Sequence, residues 1–250
     1  MSSLATSAPQ PQTPALSEGA RIVNTFVAPS KTFTDLNRKA SWFAPYLLLA
    51  LMSLAMAFTV GQKVGWKQLN DTQLRLQPKR AAQMEQMPPE QRARAESLGV
   101  TITKVITYAI PVLLIVFCVV IAAVLLFSFN FMAGAQVKFG AALAVVFYAS
   151  LPELIRSALA IVFLYAGVIA PDTFIPQNPI GSNLGVLATP GSGAYALLSS
   201  VDVFKIWVMV LTAIGFTCIS KTKKGTALGI VFGWYIVVTL IQAGFAAMMS

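Results

Sequence analysis

The sequence predicts an all-α polytopic integral membrane protein, a bundle of five transmembrane helices, and three observations carry that prediction. Of the 250 residues, 56% are hydrophobic and only 11% are charged, against roughly 25% charged in an ordinary soluble domain. The mean hydropathy is +0.72. Five apolar runs each reach about the 20 residues that cross a bilayer core, and most lysines and arginines fall between them.

The same composition excludes much chemistry. Histidine is absent, which removes Ser-His and Cys-His nucleophile pairs, HExxH zinc sites and histidine proton relays. Cys118 and Cys218 stand alone inside apolar runs, so the sequence offers neither a disulfide framework nor a metal cluster. No span clusters carboxylates. No catalytic group, cofactor or metal is expected, and the reading is of a non-enzymatic protein. The net charge of +9 flanks the spans, a pattern that favours contact with the bilayer and its anionic lipids. It lacks the basic face with interleaved aromatics that nucleic acid requires.

Taken in order, residues 1–20 are polar and rich in Pro and Ser, without the pattern of a cleaved leader. They are expected to form a disordered tail, leaving 21–250 as one five-helix membrane domain. In RIVNTFVA, Ile22, Val23, Phe26 and Val27 share a helical face before Pro29 stops the run. SKTFTDLNRK then offers Ser30 as a cap, with Phe33 and Leu36 about one turn apart. Short helices lying on the membrane surface and a plain juxtamembrane linker fit these pieces equally well.

The first span is expected from Phe43 to Gln62, with Trp42 and Tyr46 at one interface and Trp66 at the other. A polar helical connection follows over about 63–104. Pro88 and Pro89 start a helix with Glu90 and Arg94 spaced i, i+4. It should run straight into the second span, Val105 to Phe129, where Pro111 should kink it. The third apolar region, Phe139 to Ala170, would reach about 48 Å as one helix, beyond a ~30 Å core, so it must tilt, protrude or break. A Pro/Gly/Asn loop without Lys or Arg precedes the fourth span, Val201 to Ile219. The link Lys221-Thr222-Lys223-Lys224 leads to the fifth, Thr226 to Ala247. Short loops carry the positive-inside rule best. They place the N-terminus in the cytoplasm and the C-terminus outside.

Two polar stretches interrupt this pattern. Ser150-Leu151-Pro152-Glu153 spells a capping box with Pro in the first turn, and Arg156 follows Glu153 at i+3. Residues 151–170 hold ten Leu, Ile, Val or Phe side chains, worth about −3 to −6 kcal/mol on insertion scales. Two isolated central charges would cost about +5 to +7 kcal/mol. Glu153 and Arg156 must therefore pair, snorkel or face other helices. The order Ser, acid at +3, base at +6 recurs in Ser199, Asp202 and Lys205, which open the fourth span. Broken helices around a transport site and a generic way of starting membrane helices both fit, and the structural reading is preferred. In the fifth span Gly225, Gly229 and Gly233 form a GxxxGxxxG stripe, read as helix packing within the chain ahead of self-association.

The order of these pieces resembles the Ypt-interacting-protein (Yip) membrane-domain family, in its prokaryotic branch. The resemblance rests on FVAPSKTFTDL and WFAP before the first span, LPEL in the third, DVFKIWVMVLTAIGF in the fourth and KTKKGTALGIVFGWY into the fifth. It implies five membrane helices, a cytoplasmic N-terminus and a bacterial cytoplasmic membrane. Eukaryotic relatives are associated with small Rab-type GTPases and vesicle membranes, but the DLYGP-like motif of that branch is not present here. The resulting expectation is a membrane scaffold that binds a protein partner or a second copy of itself. The competing one is a small transporter or permease component using Glu153 and Arg156.

Overall fold

The structure, a computed structural model, describes residues 14–249. The expected tail lies outside the described residues as far as residue 13. Its last part does not stay extended: Ser17 caps a first helix by accepting a hydrogen bond from the Ala20 amide.

Five helices are long and apolar enough to cross a membrane. Eleven α-helices form in all among the described residues: α1 (Glu18–Val27), α2 (Pro29–Asp35), α3 (Phe43–Lys63), α4 (Trp66–Arg75), α5 (Pro78–Glu85), α6 (Pro89–Met132), α7 (Phe139–Ala149), α8 (Pro152–Tyr165), α9 (Gly193–Leu198), α10 (Val203–Ser220) and α11 (Lys224–Met249). The spans are α3, α6, α7 with α8, α10 and α11. Proline sets several starts. Pro29, Pro78, Pro89 and Pro152 occupy first-turn positions, where a missing N–H costs nothing.

Helix α6 has 44 residues and runs unbroken through Pro111, about 66 Å at ~1.5 Å per residue. It crosses the membrane and projects well beyond it, and α4 and α5 pack on its projecting part. The ion pair along that part is Arg92–Glu96 at 3.0 Å, not the expected Glu90–Arg94. The third span ends at Tyr165, short of the expected Ala170, and is divided into α7 and α8 at Ser150 and Leu151.

Helix α7 is the centre of the bundle. Every residue from Ala142 to Ala149 is buried, with α1, α3, α6 and α10 packed around it. Phe129 stacks on Phe216 at 4.4 Å, and Trp42 stacks on Phe147 at 5.3 Å. Gly215 permits the close approach of α10 to α7 and to Phe33. A Cβ there would overlap Val145 Cγ1 and crowd Phe33 Cδ1 at 3.1 Å. By contrast α6 and α11 bury little, and their large exposed side chains, such as Phe117, Phe131, Leu240 and Phe245, suit lipid.

Contacts sort the connections onto two sides, as five alternating crossings require. On one side the Asn37 side-chain amide donates to the Cys218 carbonyl at 3.1 Å. On the other, Lys79 donates to the Met248 carbonyl at 2.7 Å and Gln177 to Gln73 at 3.1 Å. The first is called the hairpin side here, after α1 and α2, and the second the loop side, after residues 166–202.

Candidate functional site

Of the two expectations for the N-terminal segment, the plain linker does not describe it. Helices α1 and α2 form a hairpin packed against α7 and α10 of the bundle. The reason is visible in its side chains. Phe33 and Leu36 are buried in the main core, joined by Ile22 and Phe26, and Phe26 meets Trp207 edge-on at 5.8 Å.

The polar faces of the two helices close on each other. The Arg21 side chain is 1% exposed and its Nη2 lies 2.8 Å from Asp35 Oδ2. Its Nη1 lies 3.2 Å from Glu18. Glu18 also accepts the Tyr148 hydroxyl at 2.6 Å, which ties the hairpin to α7. Thr25 and Thr32 both donate to the Arg21 carbonyl at 2.8 Å. Burial alone would weaken the hold on the Arg21 proton. The Asp35 hydrogen bond and the Glu18 and Asp35 charges outweigh it and raise the guanidinium above its ordinary value. Every buried charge here has a partner, which is the condition for tolerating it.

This locked hairpin presents a polar outer face. Ser30, Lys31, Thr34, Asn37, Arg38 and Lys39 are exposed. Ser30, Lys31, Thr34 and Arg38 border a groove of about 480 Å³ against residues 14–16. Lys138, Lys221, Lys223 and Lys224 are also exposed on this side. The result is a basic surface held on a rigid base.

The polar residues of the third span do come together, but not through a capping box. Ser150 ends α7 in helical backbone and turns its hydroxyl back to the Val146 carbonyl at 2.8 Å. Leu151 precedes α8 with no side-chain cap. Because the chain stays helical into Pro152, Ser150 never adopts the extended geometry of a capping residue. Glu153 and Arg156 pair with each other at 2.6 Å, half-buried.

The second Ser-acid-base stretch is built differently. Asp202 is extended and caps α10, accepting from the amides of Phe204 at 2.8 Å and Lys205 at 3.1 Å. Lys205 turns back to the Ser199 carbonyl at 3.2 Å. Helices α8 and α10 are packed together, so Lys205 lies within electrostatic range of Glu153 and Arg156. The similarity of the two stretches is one of spelling, not of structure.

Among the described residues the glycine stripe meets no helix. A Cβ added at Gly225, Gly229 or Gly233 would stand in open space. The expected packing within the chain is therefore not made, because α11 turns that face away from α10.

Glu18, Arg21, Asp35 and Tyr148 were not singled out from the sequence. Asp35 lies in the stretch FVAPSKTFTDL, but only the fold reveals its partner. A family model described as Yip1 domain matches residues 23–246. No curated protein and no solved structure matches the chain.

Proposed function

This chain belongs to the Yip1 domain family, and from that premise we propose that it is a non-enzymatic membrane scaffold whose hairpin side docks a partner with acidic chemistry, a protein segment in the first instance. The observation that carries the reading is the locked hairpin, which holds Lys31, Arg38 and Lys39 on a rigid base beside Lys221, Lys223 and Lys224. A fixed basic face loses little freedom on binding and repels basic competitors. The exposed cations at the short connections support a cytoplasmic hairpin side and an external C-terminus. The aromatic packing of Phe129, Phe147 and Phe216 at the bundle centre favours a scaffold over a solute path.

The test is native electrophoresis of membranes carrying the wild type or the Lys31→Glu/Lys39→Glu variant. The scaffold reading expects a wild-type complex larger than the monomer that collapses in the variant, with thermal stability unchanged. An unaltered complex would contradict it. The transporter reading rests on Glu153 and Arg156. It would take over if a well-folded Glu153→Gln/Arg156→Gln variant lost a solute flux that the wild type shows.

A further inference from the structure

We propose that the loop side holds a second site, independent of the hairpin, in which Lys205 binds an oxyanion group, phosphate or carboxylate. The site is a pocket of about 240 Å³ between residues 177–200 and the ends of α10 and α11. Gln177, Ser192, Tyr195, Ser199, Lys205 and Gln242 are among its lining residues.

Lys205 has no counter-charge committed to it among the described residues. The nearest acid in sequence, Asp202, is fully buried and committed. One of its oxygens caps α10, and the other accepts the Ser182 hydroxyl at 2.5 Å. Glu153 is committed to Arg156 at 2.6 Å. Lys205 makes one hydrogen bond, to the Ser199 carbonyl, and no ion pair among the described residues. An ammonium has three protons to donate, so two have no protein acceptor in a half-buried place.

The pocket wall repeats the imbalance. Tyr195 and Ser199 are each 8% exposed, and neither hydroxyl makes a hydrogen bond beyond the contact of Ser199 with the Tyr195 phenol. Such under-satisfied groups are rare in native interiors and call for a reason. Burial pushes the Tyr195 phenol above its ordinary value, with Ser199 pulling partly back, so it remains a neutral donor. An ammonium with two unmet protons, in a wall that also carries Tyr195, Ser199 and Gln242, asks for a ligand rich in acceptors. An oxyanion supplies several acceptor lone pairs and the missing counter-charge. Lys205 stands in the first turn of α10, at the end of a membrane-spanning helix, where a lipid phosphate and a free solute are the two sources of such a group.

The experiment uses the full chain in a non-ionic detergent and reads the melting temperature. The probes are inorganic phosphate, acetate, an anionic phospholipid in mixed micelles, and phosphatidylcholine as the zwitterionic control. At saturation an effective probe should raise the wild-type midpoint by about 5 °C. Lys205→Gln should abolish the rise, Lys205→Arg should keep most of it, and Ala246→Phe, which fills the pocket without touching the charge, should abolish it too. A rise with phosphate or acetate identifies a free oxyanion, whereas a rise only with the anionic phospholipid identifies a head group. Should Lys205→Gln not fold, Ala246→Phe decides alone. No rise with any probe in the wild type would overturn the proposal. So would an equal rise in Ala246→Phe, since the basic hairpin side would produce that without this pocket.

Discussion

The two polar centres of this bundle solve the same problem in opposite ways. On the hairpin side, Arg21, Asp35, Glu18 and Tyr148 close a network in which each buried charge meets a partner at hydrogen-bonding distance. On the loop side, Lys205 has one carbonyl, and the Tyr195 and Ser199 hydroxyls nearby have at most each other. A closed network specifies structure, because removing any member strands another. An open one leaves interaction energy for something that is not part of the chain. The closed centre therefore fixes the hairpin in place, and the open one is where we propose a ligand binds.

The largest expected effect lies in the closed centre. Arg21→Met leaves Asp35 buried without a counter-charge, held only by the Leu16 amide at 3.3 Å, and should cost about 3–5 kcal/mol of stability. Adding Asp35→Leu should recover much of it, because no orphan charge remains. Denaturant unfolding of the two variants in detergent measures both. A single variant as stable as the wild type would break the comparison at its stronger side.

A smaller effect is expected at the α7–α8 break. Glu153→Gln and Arg156→Gln should each destabilise, and the double variant should lose less than their sum. The coupling should be about 0.5–3 kcal/mol, toward the low end because both side chains are partly solvated. Strictly additive losses would mean that the 2.6 Å pair is incidental. The smallest effect belongs to Gly229→Leu. With open space beside Gly229, the stability of the monomer in detergent should stay within about ±0.5 kcal/mol. A change confined to oligomer size would place the glycine face between chains, and a large loss of monomer stability would contradict the packing described for α11.

The spans were legible because length and apolarity suffice to define them. The long α6 was legible from Pro88-Pro89 and the unbroken run beyond. The break in the third span followed from its excess length and Pro152. The hairpin was not legible, for a physical reason. Ile22, Phe26, Phe33 and Leu36 give the same periodic signal whether they meet lipid head groups or a helix. What decides is that Arg21 finds Asp35 and Glu18 finds Tyr148, long-range pairings that no local pattern encodes. The two Ser-acid-base stretches failed as a repeat because capping depends on the backbone ahead of them. A loop leads into Asp202 and leaves it extended at φ −121°, ψ 133°, whereas Ser150 is delivered in helical geometry at φ −80°, ψ −5°.

The central claim is that the hairpin is built into the bundle as the base of a docking face, and one cross-link tests it most directly. The native Cys218 sulfur lies 4.0 Å from the Ser30 carbonyl. Ser30→Cys should therefore form an intramolecular disulfide with Cys218 when intact native membranes are mildly oxidised, read as a thiol-sensitive mobility shift and a linked peptide in mass spectrometry. Rapid, near-complete linkage is the predicted result. Linkage no faster than that of a cysteine placed at Leu98, at the far end of α6, would contradict it and detach the hairpin from the bundle.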